Sequence, residues 1–111
     1  MSSKSTALGV AIALGAMVAA NDVPAQTMTA GIVMEKMSAG DRYLYIAGIV
    51  EGLAHARFVK DNKDTKGRSC IVQWFYDDKA TIQKIYEAFE RYPGTLPGAV
   101  VGALAATKCG A

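Results

Sequence analysis

The chain is short of the residues that build reaction centres: it holds one histidine, two cysteines, and only a slight surplus of positive charge. Each scarcity excludes something. A zinc-type site wants about three or four His, Cys or carboxylate ligands at close spacing, and here there is only His55 and no C-x-x-C. A catalytic thiol or hydroxyl needs a base and a group to orient it, and one histidine leaves little to assemble them from. G-x-S-x-G, the phosphate-binding P-loop, H-E-x-x-H and the EF-hand loop are all missing. With 12 Lys and Arg against 10 Asp and Glu the net charge is +2, too small to argue for nucleic acid or an anionic membrane as partner. The residues therefore speak against an enzyme, and no catalytic residue, cofactor or metal site is expected.

What is present begins at the N-terminus. Ala7 to Ala20 is an uncharged apolar run, preceded by Lys4 and followed by the polar stretch Asn21–Gln26. A bilayer crossing takes roughly 20 such residues, so this run is too short to span. Positive start, short apolar middle and a small residue at the end, Ala25 with Val23 two before it, are the parts of a secretory signal. Residues 1–25 are read as a signal peptide and residues 26–111 as one mature domain of the bacterial periplasm. An uncleaved anchor and a buried apolar helix are the alternatives.

In an exported chain, Cys70 and Cys109 read first as a disulfide, because the compartment beyond the inner membrane is oxidising. The loop they close is about 40 residues long, worth up to about 4 kcal/mol by chain entropy. That matches the whole stability of many domains of this size, which are too small to bury a large core.

Hydrophobic spacing in the mature region is helical. Met28 to Met37 carries apolar residues at 28, 32, 34 and 37. Ser38 suits a cap, with Asp41 in the first turn that follows. Ala39 to about Asn62 then repeats Tyr43, Ile46, Val50, Leu53 and Arg57 at spacings of three and four. Lys60 to Arg68 reads as a charged solvated connector, and Ser69 to Tyr76 as irregular or a single helical turn, since no second strand exists to pair with it. Asp77 or Asp78 caps a helix running to about Arg91, with Ile82, Ile85, Tyr86 and Phe89 on one face. Pro97 opens a last helix, Gly98 to about Lys108. The expected fold is an all-α, four-helix domain with one disulfide.

Small residues recur every four positions on two of these helices: Gly48, Gly52 and Ala56 on one, Gly98, Gly102 and Ala106 on the other. Two such strips could face each other and let the backbones approach closely, which would explain glycines that each cost about 1 kcal/mol in a helix. A leucine at Gly52 or Gly102 would then overpack the contact. His55 lies one turn after Glu51, so a carboxylate–imidazole contact accounts for it without catalysis. Asp77 and Asp78 are explained by capping before metal binding. Trp74, Phe75 and Tyr76 form the densest aromatic cluster, to be read either as core beside Cys70 or as a partner contact.

The run Y-I-A-G-I-V-E-G-L-A at Tyr45 to Ala54 resembles the Y-I-x-G-x-x-x-A/G signature of the Rap/Tai family, the Tai-type immunity proteins of bacterial type VI secretion. Cys70 before a helix, Tyr92-Pro93 at its end and a last helix closing on Cys109 extend the likeness over Met28 to Cys109. By position only the two cysteines and Gly48 carry over. The chain departs from the family in Trp74–Tyr76 and in a longer, more basic loop at Lys60–Arg68. The resemblance implies a periplasmic helical protein that binds a cognate toxic effector and blocks it. A homodimer is also compatible. From other classes come acid-stress chaperones of the HdeA kind and a non-catalytic structural envelope protein.

Overall fold

The computed structural model describes residues 27–111, which form five helices and no strand. The proposed signal segment and its cleavage site at Ala25 lie outside the described residues. The helices are α1 (Ala30–Lys36), α2 (Ala39–Lys60), α3 (Lys66–Tyr76), α4 (Ala80–Arg91) and α5 (Pro97–Cys109). The chain is all-α with a Cys70–Cys109 disulfide, but with one helix more than the spacing predicts.

The extra helix is α3. The segment expected to be irregular is an 11-residue helix whose buried face is Gly67, Ile71 and Phe75, recurring every four residues. Two things hide that pattern in the sequence. Gly67 sits inside a run of charges and looks like a loop residue, and Trp74-Phe75-Tyr76 is apolar on all sides. The connector accordingly shrinks to Asp61–Thr65. It turns sharply, with Asn62 and Lys63 both at positive φ, 54° and 69°. The Lys63 N–H closes back on the Phe58 carbonyl at 2.9 Å, and the Asp64 carboxylate accepts from the Lys66 N–H at 2.9 Å to start α3.

Caps elsewhere follow the local chemistry. Ser38 Oγ accepts from the Asp41 N–H at 3.3 Å, and Thr29 Oγ1 from the Ile32 N–H at 3.3 Å. Asp78 Oδ1 accepts from the Ala80 N–H at 2.9 Å at the start of α4. The first amides of α1 are met by the α4–α5 connection: Ala30 N–H bonds the Thr95 carbonyl and Gly31 N–H the Pro93 carbonyl, each at 2.9 Å. A Cβ at Gly31 would stand 2.9 Å from the Pro93 Cβ, so this approach requires glycine.

One apolar core joins all five helices. Val33, Ile46, Val50, Ile85, Phe89 and Val101 are fully enclosed. Thr81 is the buried polar residue, and its hydroxyl donates to the Trp74 carbonyl at 2.6 Å, tying α4 to the end of α3. Arg42 closes the last turn of α1, donating from Nη2 to the Met34 and Met37 carbonyls at 2.9 and 3.2 Å while its guanidinium lies over the Tyr86 ring.

The two glycine strips do not meet. A Cβ at Gly48, Gly52 or Gly98 would touch nothing within 4 Å, and at Gly102 it would make only an ordinary 3.7 Å contact with Leu53. Gly48, Gly52 and Gly98 point to solvent. Both helices instead contribute larger apolar side chains to the core, Val50 from α2 and Val100 and Val101 from α5, with Leu53 packed against it. A side chain at Gly52 would start in open space, so overpacking is not expected there.

Candidate functional site

Three surface features are built on the α2–α3 hairpin, and the disulfide anchors one end of it. Cys70 and Cys109 are joined with an S–S distance of 2.07 Å and a Cα–Cα distance of 5.8 Å, linking the middle of α3 to the last residue of α5. Beside it, Arg57 reaches inward from α2. Its Nε donates to Asp61 at 2.8 Å and its Nη1 to the Gly110 carbonyl at 2.9 Å, so one guanidinium holds the end of α2 and the C-terminal residues. α3 crosses directly over this side chain. A Cβ at Gly67 would fall 2.6 Å from Arg57 Nε, which is why a glycine stands there. Arg57 recurs in the apolar spacing of α2, and an arginine in that register was the one hint in the sequence of an inward-facing charge.

The aromatic triplet is split by the helix. Phe75 is buried; Tyr43 of α2 stacks on it at 5.5 Å between ring centroids and Tyr76 meets it edge-on at 4.9 Å. Tyr76 then leans back over α2, and its hydroxyl donates to Glu51 Oε2 at 2.8 Å. That hydrogen bond, with smaller contributions from burial and from the Glu51 and Tyr43 charges, raises the phenol above its usual value. A raised phenol favours the neutral form in the fold, so this contact stabilises below about pH 10 and is lost as the pH climbs through the raised value. Glu51 is thus engaged by Tyr76. No hydrogen bond joins it to His55, which is exposed and tilted against Phe58 at 6.4 Å.

Around this contact the surface is apolar. Tyr43 is 38% exposed, Tyr76 43% and Leu44 68%, and Leu44 lies two turns from Glu51 on the same side of α2. The two tyrosines are held by stacking and hydrogen bonding, so little side-chain freedom remains to be lost on contact. A rigid tyrosine pair with an exposed leucine and a carboxylate is a surface suited to gripping another protein.

Trp74 faces the other way. It lies half-buried in an open cleft of about 590 Å³ along α3, with Lys66, Gln73, Asp77, Asp78 and Lys108 at its rim. α3 has no acid in its first turn and no base in its last. Lys66 at the start and Asp77 at the end oppose the helix dipole, each a cost of about 0.3–1 kcal/mol at an exposed position.

Among the described residues no group of three or more His, Cys, Asp or Glu is placed to hold a metal ion. No helix among them is long and apolar enough to cross a membrane. Comparison with known proteins finds no matching family model, no similar curated protein and no similar solved structure.

Proposed function

We propose that this chain is an exported, non-catalytic binding protein of the periplasm, released by cleavage near Ala25, that neutralises a cognate toxic effector by occupying it. The kinship with Tai-type immunity proteins rests on the Tyr45–Ala54 signature and the placement of Cys70 and Cys109. The observation that carries the binding role is the rigid apolar face of Tyr43, Leu44 and Tyr76, braced by Phe75 beneath and Glu51 beside. Aromatic side chains locked in place before contact are the commonest anchors of tight protein interfaces. A Cys70–Cys109 bridge suits an oxidising compartment.

The test is capture of the processed protein with its neighbours from periplasmic extract at neutral pH, repeated with Tyr43→Ala and Tyr76→Ala. One partner at one-to-one stoichiometry, toxic when expressed alone and silenced by this chain, is the expected result. Loss of that partner, and of protection, in the tyrosine variants would place it on this face. If no toxic partner is recovered and the protein instead suppresses client aggregation below about pH 3, an acid-stress chaperone replaces this reading.

A further inference from the structure

The α3 cleft keeps charges for which the fold has no use. Asp64 serves the Lys66 backbone N–H and one oxygen of Asp78 caps α4, but neither the Lys66 nor the Lys108 ammonium is ion-paired among the described residues, and neither is Asp77 or Asp78. Within the groove the lysines stand beside the disulfide and the carboxylates at the far end of α3, with Trp74 and the amide of Gln73 between; Asp61 and Asp64, which adjoin the lysine end, are already engaged by Arg57 and by the Lys66 backbone N–H. The bridge through Cys109 holds its neighbour Lys108 at the rim. Ligands carrying one sign of charge would meet repulsion at one pole. A zwitterion with its charges far apart would satisfy both.

Length narrows the class. Lys66 and Asp77 are about 16 Å apart along α3, at about 1.5 Å of rise per residue. An extended peptide spans that distance in about five residues at about 3.3 Å each. The volume of about 590 Å³ lies within the usual size of small-ligand sites. The geometry points to a cleft that binds a free peptide of about five residues, extended along α3, with its terminal ammonium at Asp77 and Asp78 and its terminal carboxylate at Lys66 and Lys108. Its middle lies on the Trp74 ring, and Gln73 and Ser69 offer hydrogen bonds to its backbone amides. The open side of the groove accepts any side chains, so length and end charges are read in preference to sequence. Trp74 and Tyr76 point to different sides of α3, and the cleft acts without a protein bound at the tyrosine face.

Trp74 is the chain's single tryptophan, so its emission reports occupancy directly. The oxidised protein is titrated with penta-alanine bearing free termini, with its N-acetylated, C-amidated and doubly blocked forms, and with di-alanine. A saturable emission change is expected with the free pentapeptide. Blocking either end should weaken it about fivefold, in line with loss of one exposed ion pair, and di-alanine should bind more weakly still. Asp77→Asn should reduce the penalty of N-acetylation, and Lys108→Gln that of amidation, since each leaves one partner of its pair in place; both positions are exposed, so the packing is untouched. Equal responses to all four pentapeptides, or no saturable response to any, with amide chemical shifts of α3 likewise unmoved, would overturn the assignment.

Discussion

The two ends of α2 are held by different physics. At its N-terminal end, α1, α4 and the start of α5 close around Val33, Ile46, Ile85 and Phe89, all fully enclosed, with Arg42 Nη2 and the first α1 amides bonded to backbone carbonyls. At its C-terminal end a thinner apolar layer is supplemented by half-exposed links: a disulfide, an arginine–aspartate pair at 2.8 Å and a hydrogen bond to Gly110. The core thins toward that end, where smaller side chains such as Ala54 and Ala105 are buried beside Ile71 in place of Ile85 and Phe89, and a domain this small has little apolar volume to spare. That end gains further order from a covalent link that shortens the unfolded chain's freedom.

The largest loss is expected at the apolar end. Phe89→Ala should cost about 3–5 kcal/mol, read from denaturant unfolding of the oxidised protein. A loss below about 1 kcal/mol would mean that the core collapses around the gap and that the enclosed end is not the stability centre. Replacing Cys70 and Cys109 together by alanine should cost slightly less, about 2–4 kcal/mol, and should loosen the C-terminal turn of α5 and the start of α3 first in hydrogen exchange. Uniform loosening of all five helices would instead make the bridge a support for the whole core. The smallest effects have opposite signs. Gly67→Ala should destabilise by about 1–3 kcal/mol, because Arg57 must leave Asp61 and Gly110 to make room. Gly52→Ala should stabilise by about 0.5–1 kcal/mol, since a methyl group there meets nothing and the helix gains propensity. Thermal unfolding of the two variants side by side shows whether the glycines divide in this way.

The tyrosine face and the cleft were legible in part. Trp74, Phe75 and Tyr76 stood out as a cluster, with core and partner contact both open; the helix sends Phe75 inward, Tyr76 back over α2 and Trp74 into the groove. Successive residues on a helix diverge by about 100°, so a triplet read as one feature becomes three. The spacing sets Glu51 one turn from His55, yet its partner is 25 residues on, at Tyr76. Arg42 and Gly31 carried no signal at all, because their partners are backbone carbonyls and a proline brought near only by folding.

Periodicity and capping residues by themselves determined the all-helical class, the span of α2 and the starts and stops around Asp78, Arg91 and Pro97. These depend on neighbours within one or two turns, where spacing is a direct record of geometry. Tertiary structure alone decided that α3 is a helix, that Gly67 and Gly31 are the glycines with a steric purpose while Gly48 and Gly52 face water, and which way each aromatic points. Those outcomes depend on what packs against each face, and the hydrophobic pattern of a single segment does not contain its partner.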